Sequence, residues 1–283
     1  MSSLDPVVFP ANFDYYRHTL PIRIFHWLNV IALVVLLMSG LQIFNAHPAL
    51  NWGKSSYDGR PALVEIKAQK ISSELIGVTT LFGHHFITTG VLGVSKDPEG
   101  RPAPRAFPAW ATLPGPRWLA MARRWHLFFA WGLVVNGLGY LLYSIGSRHL
   151  SRDLVPTKQD WRSVGRSIKD HLLFRHPQGQ AATRYNVLQK FAYLSVIFGF
   201  LPLIIVAGLA MSPWLDSVRP GWVDFLGGRQ AARAIHFFCA WALVVFVFIH
   251  VFEVIITGLW NNLRSMITGH YRIQPTESRH DAK

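Results

Sequence analysis

The 283-residue chain is 51% hydrophobic and only 15% charged, whereas a typical soluble domain carries about 25% charged residues, so the composition indicates a membrane protein. Its net charge of +13 comes from Lys and Arg between the apolar runs, a distribution typical of a positive-inside bias and not of nucleic-acid binding. The only cysteine, Cys239, excludes an internal disulfide, a Cys-based zinc site and a Cys-ligated iron–sulfur cluster. Thirteen histidines remain as candidate ligands of a redox centre.

Four apolar runs have the length of about 20 residues that a membrane-spanning helix needs. Because backbone groups in lipid must bond internally, each run is predicted to be helical. The runs are Ile24–Phe44, Trp125–Ile145, Phe191–Met211 and Ile235–Trp260. The predicted fold class is therefore all-α: residues 1–283 form a single domain, an integral membrane four-helix bundle with a long first loop, 45–124, and a second loop, 146–190.

The Lys and Arg residues of the loops predict the orientation in a bacterial inner membrane. The second loop carries nine of them, including Arg175 and Arg184, and the segment Ser212–Ala234 carries three. Cytoplasmic loops are enriched in these residues, so both termini and the second loop are predicted to be cytoplasmic and the first loop periplasmic. Within the second loop, apolar residues recur at helical spacing, which predicts either an amphipathic helix on the anionic leaflet or an ordinary soluble helix: Trp161, Val164, Ile168 and Leu172.

The first loop contains a fairly apolar stretch, Leu75–Val94, and a fifth spanning helix is one interpretation of it. The stretch also holds four Thr, four Gly, His84 and His85, and a further span would reverse the inside-positive pattern. A folded periplasmic loop is therefore the favoured interpretation.

Four histidines lie within or at the edge of the predicted spans, where a polar side chain usually marks function: His26, His126, His236 and His250. His236 and His250 are 14 residues apart on the fourth span, which returns them to within about 40° of one helix face and separates them by about 21 Å. The alternating helix directions put His26 at the depth of His250, and His126 at the depth of His236. Two pairs at two depths predict two sites with two histidine ligands each.

A pair of imidazoles across a helix bundle suits haem iron, which takes two axial ligands, whereas zinc takes three or four. The predicted cofactors are therefore two b-type haems. Glycines of the spans could provide space for the porphyrins, although close helix packing is the more common explanation for any one of them: Gly40, Gly137, Gly139 and Gly208. Basic residues at the helix ends could pair with haem propionates, but anchoring at the membrane surface is the preferred interpretation for any one of them: Arg23, Arg124, Arg233 and Arg264. The remaining histidines, His18 among them, are expected to be solvated.

Several stretches around these histidines resemble the prokaryotic di-haem cytochrome b561 family, which includes cytochrome b subunits of hydrogenase, formate dehydrogenase and thiosulfate reductase-like complexes. They are RIFHW and SGLQIF on the first span, RRWHLFFAW on the second, RYNVLQKFAY at the third, and ARAIHFFCAW and FIHVFEVIITG on the fourth. The similarity covers roughly Tyr16–Gly269 except for the first loop. It implies haem b ligation by the same two histidine pairs, and electron exchange between the membrane quinone pool and a periplasmic redox subunit of molybdopterin or hydrogenase type.

A quinone site is expected on the cytoplasmic side. The segment with Asn186, Gln189 and Lys190 is similar to the stretch that borders the quinone pocket in formate dehydrogenase-type subunits. Glu253 follows His250 by three residues, on a neighbouring part of the same helix face, and would supply a titratable group. Each of these residues also has a structural interpretation: Asn186 as a helix cap, Lys190 and Glu253 as groups that reach the interface.

Two other functions remain open from the sequence. One is a self-contained superoxide:quinone oxidoreductase, which some compact members of the family resemble. The long first loop argues against it, because a solo enzyme needs no docking surface. The other is a non-haem membrane transporter whose histidines relay protons.

Overall fold

The computed structural model describes residues 13–56, 59–97, 99–115, 117–173 and 185–273. In this part of the chain, four helices are long and apolar enough to cross a membrane: Leu20–Phe44, Leu119–Gly146, Val187–Ala210 and Arg229–Ile256. The mostly helical, four-span membrane fold predicted from the sequence is confirmed. That residues 1–283 form a single domain stays a prediction.

The elements follow one another in this order: β1 (Phe13–Tyr16), α1 (Leu20–Phe44), β2 (Ala49–Leu50), β3 (Val64–Ile71), β4 (Glu74–Leu81), β5 (His84–Ile87), β6 (Gly93–Lys96), β7 (Pro102–Arg105), α2 (Leu119–Gly146), α3 (Lys158–Leu172), α4 (Val187–Ser195), α5 (Leu201–Ala210), α6 (Pro213–Val218), α7 (Arg229–Ile256), α8 (Leu259–Thr268) and β8 (His270–Ile273). The third span consists of α4, a π-helical turn at Val196–Phe200, and α5. The wide turn has a local cause: Pro202 has no N–H to donate to the carbonyl four residues earlier.

The spans differ from the predicted runs mainly at their ends. Each begins four to six residues earlier than its apolar run, since polar residues such as Arg23 and Arg233 continue the helix beyond the apolar segment. The fourth span ends at Ile256 and not at Trp260. Gly258 follows with φ of 109°, a conformation that glycine adopts without strain and that ends the helix before α8 begins.

Contacts divide the described residues into two compact units. One contains Leu28–Gly137 and Gly199–Leu243, and the other contains the described parts of Met1–Trp27, Leu138–Phe198 and Val244–Lys283.

In the first of these units, the loop after α1 folds as antiparallel β-structure. Strands β2, β3, β4 and β5 form a four-stranded sheet in that order, and β6 pairs with β7. Leu75–Val94 therefore contributes to β4, β5 and β6, and the fifth spanning helix is excluded. Glycine permits the close packing: a Cβ added at Gly77 would lie 2.1 Å from the carbonyl oxygen of Leu92. A buried cluster holds the sheet against α1 and α7: Phe44, Leu50, Val64, Ile66, Ala106 and Phe107, with Phe237 packed beside them.

Two arginines also attach this loop to the helices of its unit. The Arg105 guanidinium donates to the Gln42 side chain on α1, and to Thr112 Oγ1 at 2.7 Å. Arg233, in the first turns of α7, donates to the carbonyls of His47 and Ala49. Charge-assisted bonds of this kind are among the stronger protein hydrogen bonds, so the sheet is held where α1 ends and α7 begins.

In the second unit, α3 packs against α4. Asp160 near the start of α3 pairs with Lys190 on α4 at 2.9 Å, and Trp161 meets the Phe191 ring edge-on at 4.8 Å. The helix predicted in the second loop is therefore present. Trp161 and Ile168 remain exposed, so the amphipathic interpretation of α3 stays open. The side chain of Leu172, and Arg175 and Arg184, lie outside the described residues.

Candidate haem sites

The structure brings the four span histidines together in the two predicted pairs. His126 on α2 faces His236 on α7 with 6.0 Å between ring centroids and 60° between ring planes. His26 on α1 faces His250 on α7 with corresponding values of 6.3 Å and 57°. We call the first the outer pair and the second the inner pair. Each pair lies within one of the two compact units.

The spacing of the rings fits one ion ligated from both sides. A metal–imidazole nitrogen bond of about 2 Å on each side of an ion puts the two ring centres about 6 Å apart. Among the described residues, no three His, Cys, Asp or Glu side chains come together as a possible metal site. The pairs therefore suit a metal that brings its other ligands with it, as haem iron does.

The outer pair has hydrogen bonds that leave one nitrogen of each ring for the metal. His126 Nδ1 lies 3.1 Å from Ser39 Oγ on α1, and His236 Nδ1 lies 2.9 Å from the carbonyl oxygen of Ile204 on α5. In metal-binding histidines, the hydrogen bond at one ring nitrogen determines which nitrogen binds the metal. Nε2 of both rings is thus the nitrogen available to iron.

Two of the four predicted glycines lie directly against the outer histidines. A Cβ added at Gly40 would lie 3.4 Å from His126 Cε1, and one added at Gly208 would lie 3.3 Å from His236 Cε1. Gly139 instead faces the Phe25 ring, and Gly137 has no described atom within 4 Å of its added Cβ. Gly40 and Gly208 therefore let the imidazole rings approach α1 and α5.

The inner pair has an aromatic surrounding. The Phe246 ring stacks on His250 at 6.0 Å, and Tyr193 meets His250 edge-on at 6.4 Å. His26 contacts Trp27 edge-on at 5.3 Å. Nδ1 of His26 is buried and has no hydrogen-bond partner among the described residues. Burying a polar atom without a hydrogen-bond partner costs free energy. The unpartnered Nδ1 of His26 is therefore consistent with a bound group beside this ring.

A family model described as prokaryotic cytochrome b561 matches residues 17–269. The chain belongs to this family. It is a membrane electron-transfer protein of a family that binds haem b. The haem-binding character of the cytochrome b561 family favours the cytochrome over the non-haem transporter left open by the sequence.

Two relatives match nearly the whole chain. A putative protein-methionine-sulfoxide reductase subunit of Azospira oryzae is 29% identical over 256 residues, which cover 90% of this chain and 98% of the relative. A probable Ni/Fe-hydrogenase B-type cytochrome subunit of Cupriavidus necator is 24% identical over 270 residues, which cover 90% and 86%. No solved structure matches the chain.

The residues predicted to border a quinone have structural partners in this cytochrome b561 protein. Asn186 is the N-cap of α4 and accepts from Leu188 N, while Gln189 accepts from Asn186 N, which completes a capping box. Glu253 Oε1 lies 2.9 Å from His171 Nε2 on α3. The amide nitrogen of the Asn186 side chain makes no hydrogen bond within the described part of the chain, so it remains able to donate.

The Lys190–Asp160 pair keeps Asp160 ionised. Burial opposes ionisation of this carboxyl, but bonds from the Thr157 backbone N–H and from Lys190 outweigh it and hold the pKa of Asp160 below its usual range. Lys190 is itself buried. Its charge is therefore compensated within the fold, and the structural interpretation of Lys190 is the one that the contacts support.

Three of the four arginines considered for haem propionates have other partners. Arg23 donates to the carbonyl of Ile267, Arg233 to the first loop, and Arg264 to Asp14 at 2.8 Å. Arg124 is exposed. These contacts favour anchoring of the helix ends over propionate binding for Arg23, Arg233 and Arg264.

The expectation that His18 is solvated is wrong, because its side chain is only 9% exposed. Burial, and next to it the charge of Arg17, lower the pKa of His18 to about 3. His18 is therefore a neutral structural residue near neutral pH. Its position in a polar segment before α1 carries no signal for burial.

Proposed function

We propose that the chain is a di-haem b cytochrome that passes electrons between a periplasmic redox subunit and the quinone pool of the bacterial inner membrane. His126 and His236 would hold the outer haem, and His26 and His250 the inner haem. Two imidazole pairs with ring centres 6.0 Å and 6.3 Å apart on membrane-spanning helices carry this proposal. When bound, haem supplies a one-electron carrier; the four histidines bind and orient it, and the apolar spans exclude water.

The names of the two relatives support the proposal that a redox subunit accompanies this chain. One is a putative subunit of a methionine-sulfoxide reductase and the other a probable cytochrome subunit of a hydrogenase. Both names describe a subunit, which supports a second chain beside the membrane cytochrome. The proposed partner is of molybdopterin or hydrogenase type, and the second of these names supports the hydrogenase type.

The sheet of the first loop is the proposed docking surface for that subunit. It exposes large apolar side chains on β5 and in the turns that flank it, a property typical of protein-binding surfaces: Phe82, Phe86, Ile87 and Val91. Trp110, in a later turn of the same loop, is also exposed. Purification of the tagged chain from its native membrane tests the proposal, and a stoichiometric soluble redox protein is the expected companion. A chain that purifies alone and oxidises superoxide would instead support the self-contained superoxide:quinone oxidoreductase.

We also propose that both termini are cytoplasmic and that the first loop is periplasmic. Ser73→Cys is expected to react with a membrane-impermeant maleimide in intact spheroplasts, because Ser73 is exposed in the turn between β3 and β4. Ser95 lies in the same loop but is only 4% exposed and is unsuitable. The unmodified chain is the control, since Cys239 is buried in α7. Labelling of Ser73→Cys only after lysis would reverse the orientation.

The quinone is proposed to bind near the inner pair, beside Asn186, Gln189, Lys190 and Glu253. A quinone takes up or releases protons with its electrons, so its site needs hydrogen-bond donors and a titratable group. The Asn186 amide supplies a donor with no partner among the described residues. Glu253, in contact with His171, supplies the titratable group. Lys190 contributes less to this site because Asp160 already compensates its charge.

Asn186→Ser is the sharpest test of this site. Ser caps a helix about as well as Asn, so α4 should keep its N-cap while the amide donor is lost. Loss of one hydrogen bond, worth about 0.5–1.5 kcal/mol, is expected to slow haem reduction by a quinol analogue about 2- to 10-fold. Stopped-flow absorbance of the haems measures the rate, and both haems must remain bound. Native kinetics in both Asn186→Ser and Glu253→Gln would remove the quinone from this end of the bundle.

A further inference from the structure

The outer and inner histidine pairs differ in what their Nδ1 atoms contact. In the outer pair, the His126 ring lies against the Ser39 hydroxyl and the Leu36 backbone, and the His236 ring lies within hydrogen-bond distance of the Ile204 carbonyl. In the inner pair, Nδ1 of His26 is buried without a partner among the described residues. A substitution at Ser39 can remove the hydroxyl that contacts His126, whereas the Ile204 carbonyl that contacts His236 belongs to the backbone and cannot be removed in this way. Ser39 is therefore the position at which the surroundings of one ligand alone can be changed.

The contacts of Ser39 determine the direction of its hydrogen bond with His126. Ser39 is fully buried on α1, and its Oγ lies 2.6 Å from the Val35 carbonyl and 3.2 Å from the Leu36 carbonyl. A hydroxyl has one hydrogen to donate, and these carbonyls, which only accept, take it. Ser39 Oγ is then left as the acceptor, and His126 Nδ1–H is the donor.

The approach of His126 to Ser39 requires the neighbouring glycine. An added Cβ at Gly40 would lie 3.4 Å from His126 Cε1, in tight contact. Ser39 and Gly40 thus accommodate the His126 imidazole on α1. Ser39 supplies the hydrogen-bond acceptor, and Gly40, which has no side chain, leaves room for the ring. Gly208 and the Ile204 carbonyl do the same for His236 on α5.

We propose that Ser39 is a positioning residue that lowers the reduction potential of the outer haem. The proposal rests on the assignment of His126 as a haem ligand. A hydrogen bond accepted from the non-ligating N–H makes a ligated imidazole more basic, and a more basic ligand stabilises ferric over ferrous iron. Because Ser39 contacts the outer pair only, it makes the outer haem a better electron donor than the same haem without this hydrogen bond. Its hydroxyl thereby favours the single electron-transfer step from the outer haem to the inner haem.

Ser39→Ala in the full-length holoprotein tests this inference. The reduced-to-oxidised ratio of the outer haem at a fixed applied potential is expected to rise about 3- to 10-fold, where tenfold equals about 59 mV for one electron. Redox titration of the haem α-bands measures the shift, and the low-spin ferric EPR signal reports the change in the ligand independently. The outer haem is identified as the one lost in His236→Ala. Ser39→Cys, with a weaker acceptor, is expected to lie between native and Ala.

Ser265→Ala is the matched control. Ser265 is 1% exposed and its Oγ donates to the Asn262 carbonyl, so the same atom is removed from an equally buried helical serine that makes no hydrogen bond to a histidine among the described residues. Its potentials should equal the native ones. The inference is overturned if both haems of Ser39→Ala titrate at native potentials, or if the inner haem shifts instead. Retention of both haems in His126→Ala would contradict the ligand assignment itself, which is a separate failure.

Discussion

His236→Ala is expected to lower the haem content of the purified protein from about two to about one per chain, because haem iron is held by its axial ligands. The remaining haem should be the inner one, with its two histidines and its aromatic neighbours intact. His250→Ala should remove the inner haem and leave the outer one. A pyridine haemochrome assay against protein concentration measures the stoichiometry. The two single variants should differ in the α-band that is lost.

His85→Ala is the matched control for these variants. His85 is exposed on β5, and its Nδ1 contacts Thr80 Oγ1 at 2.8 Å, so the same side chain is removed outside both pairs. It should retain the native haem content. If His236→Ala or His250→Ala keeps the full complement of haem, the pairing proposed for that site is wrong.

Gly208→Leu is expected to expel the outer haem while the inner haem stays. A Cβ at this position would already lie 3.3 Å from His236 Cε1, and the rest of a leucine side chain must displace the imidazole from the Ile204 carbonyl. A ligand moved by about 1 Å no longer meets the metal geometry. The expected result is a loss of about one haem per chain, measured by the same assay and by redox titration of what remains.

Gly132→Leu separates this steric effect from a general effect of leucine in a spanning helix. Gly132 is exposed on α2, and no described atom lies within 4 Å of its added Cβ. It should keep both haems. Gly208→Ala provides a graded variant in case the leucine does not fold: its single methyl should shift the outer haem potential without loss of haem. Native haem content and native potentials in both Gly208 variants would show that His236 does not depend on this approach.

The chain's local patterns were enough to predict the spans and the histidine pairs. His236 and His250 are related by the helix period, and the partners of both follow from the alternating directions of four helices. The ends of the spans were predicted less well, because Arg23 and Arg233 are helical without being apolar. The end of the fourth span depends on the positive φ of Gly258, and a count of apolar residues does not detect such a backbone conformation.

The strands of the first loop were not predicted. Leu75–Val94 is apolar without a clear period, and the buried cluster against which its Leu92 packs includes Phe44, which is distant along the chain. The residues predicted to bind quinone show a related limitation, because the hydrogen bonds that a polar side chain already makes cannot be read from its position along the chain. Asn186 and Gln189 were selected as polar groups at the right depth, but a capping box uses part of their hydrogen-bonding capacity.

By itself, the sequence determined that this protein has four helices able to cross a membrane and which of its histidines pair, because hydropathy and helical period are properties of consecutive residues. Only the tertiary structure decided what surrounds those histidines. The acceptor for His236 is the Ile204 carbonyl, a backbone group that every residue has and no sequence pattern marks. The acceptor for His126 is Ser39, 87 residues away along the chain, and it becomes visible only when α1 and α2 are packed face to face.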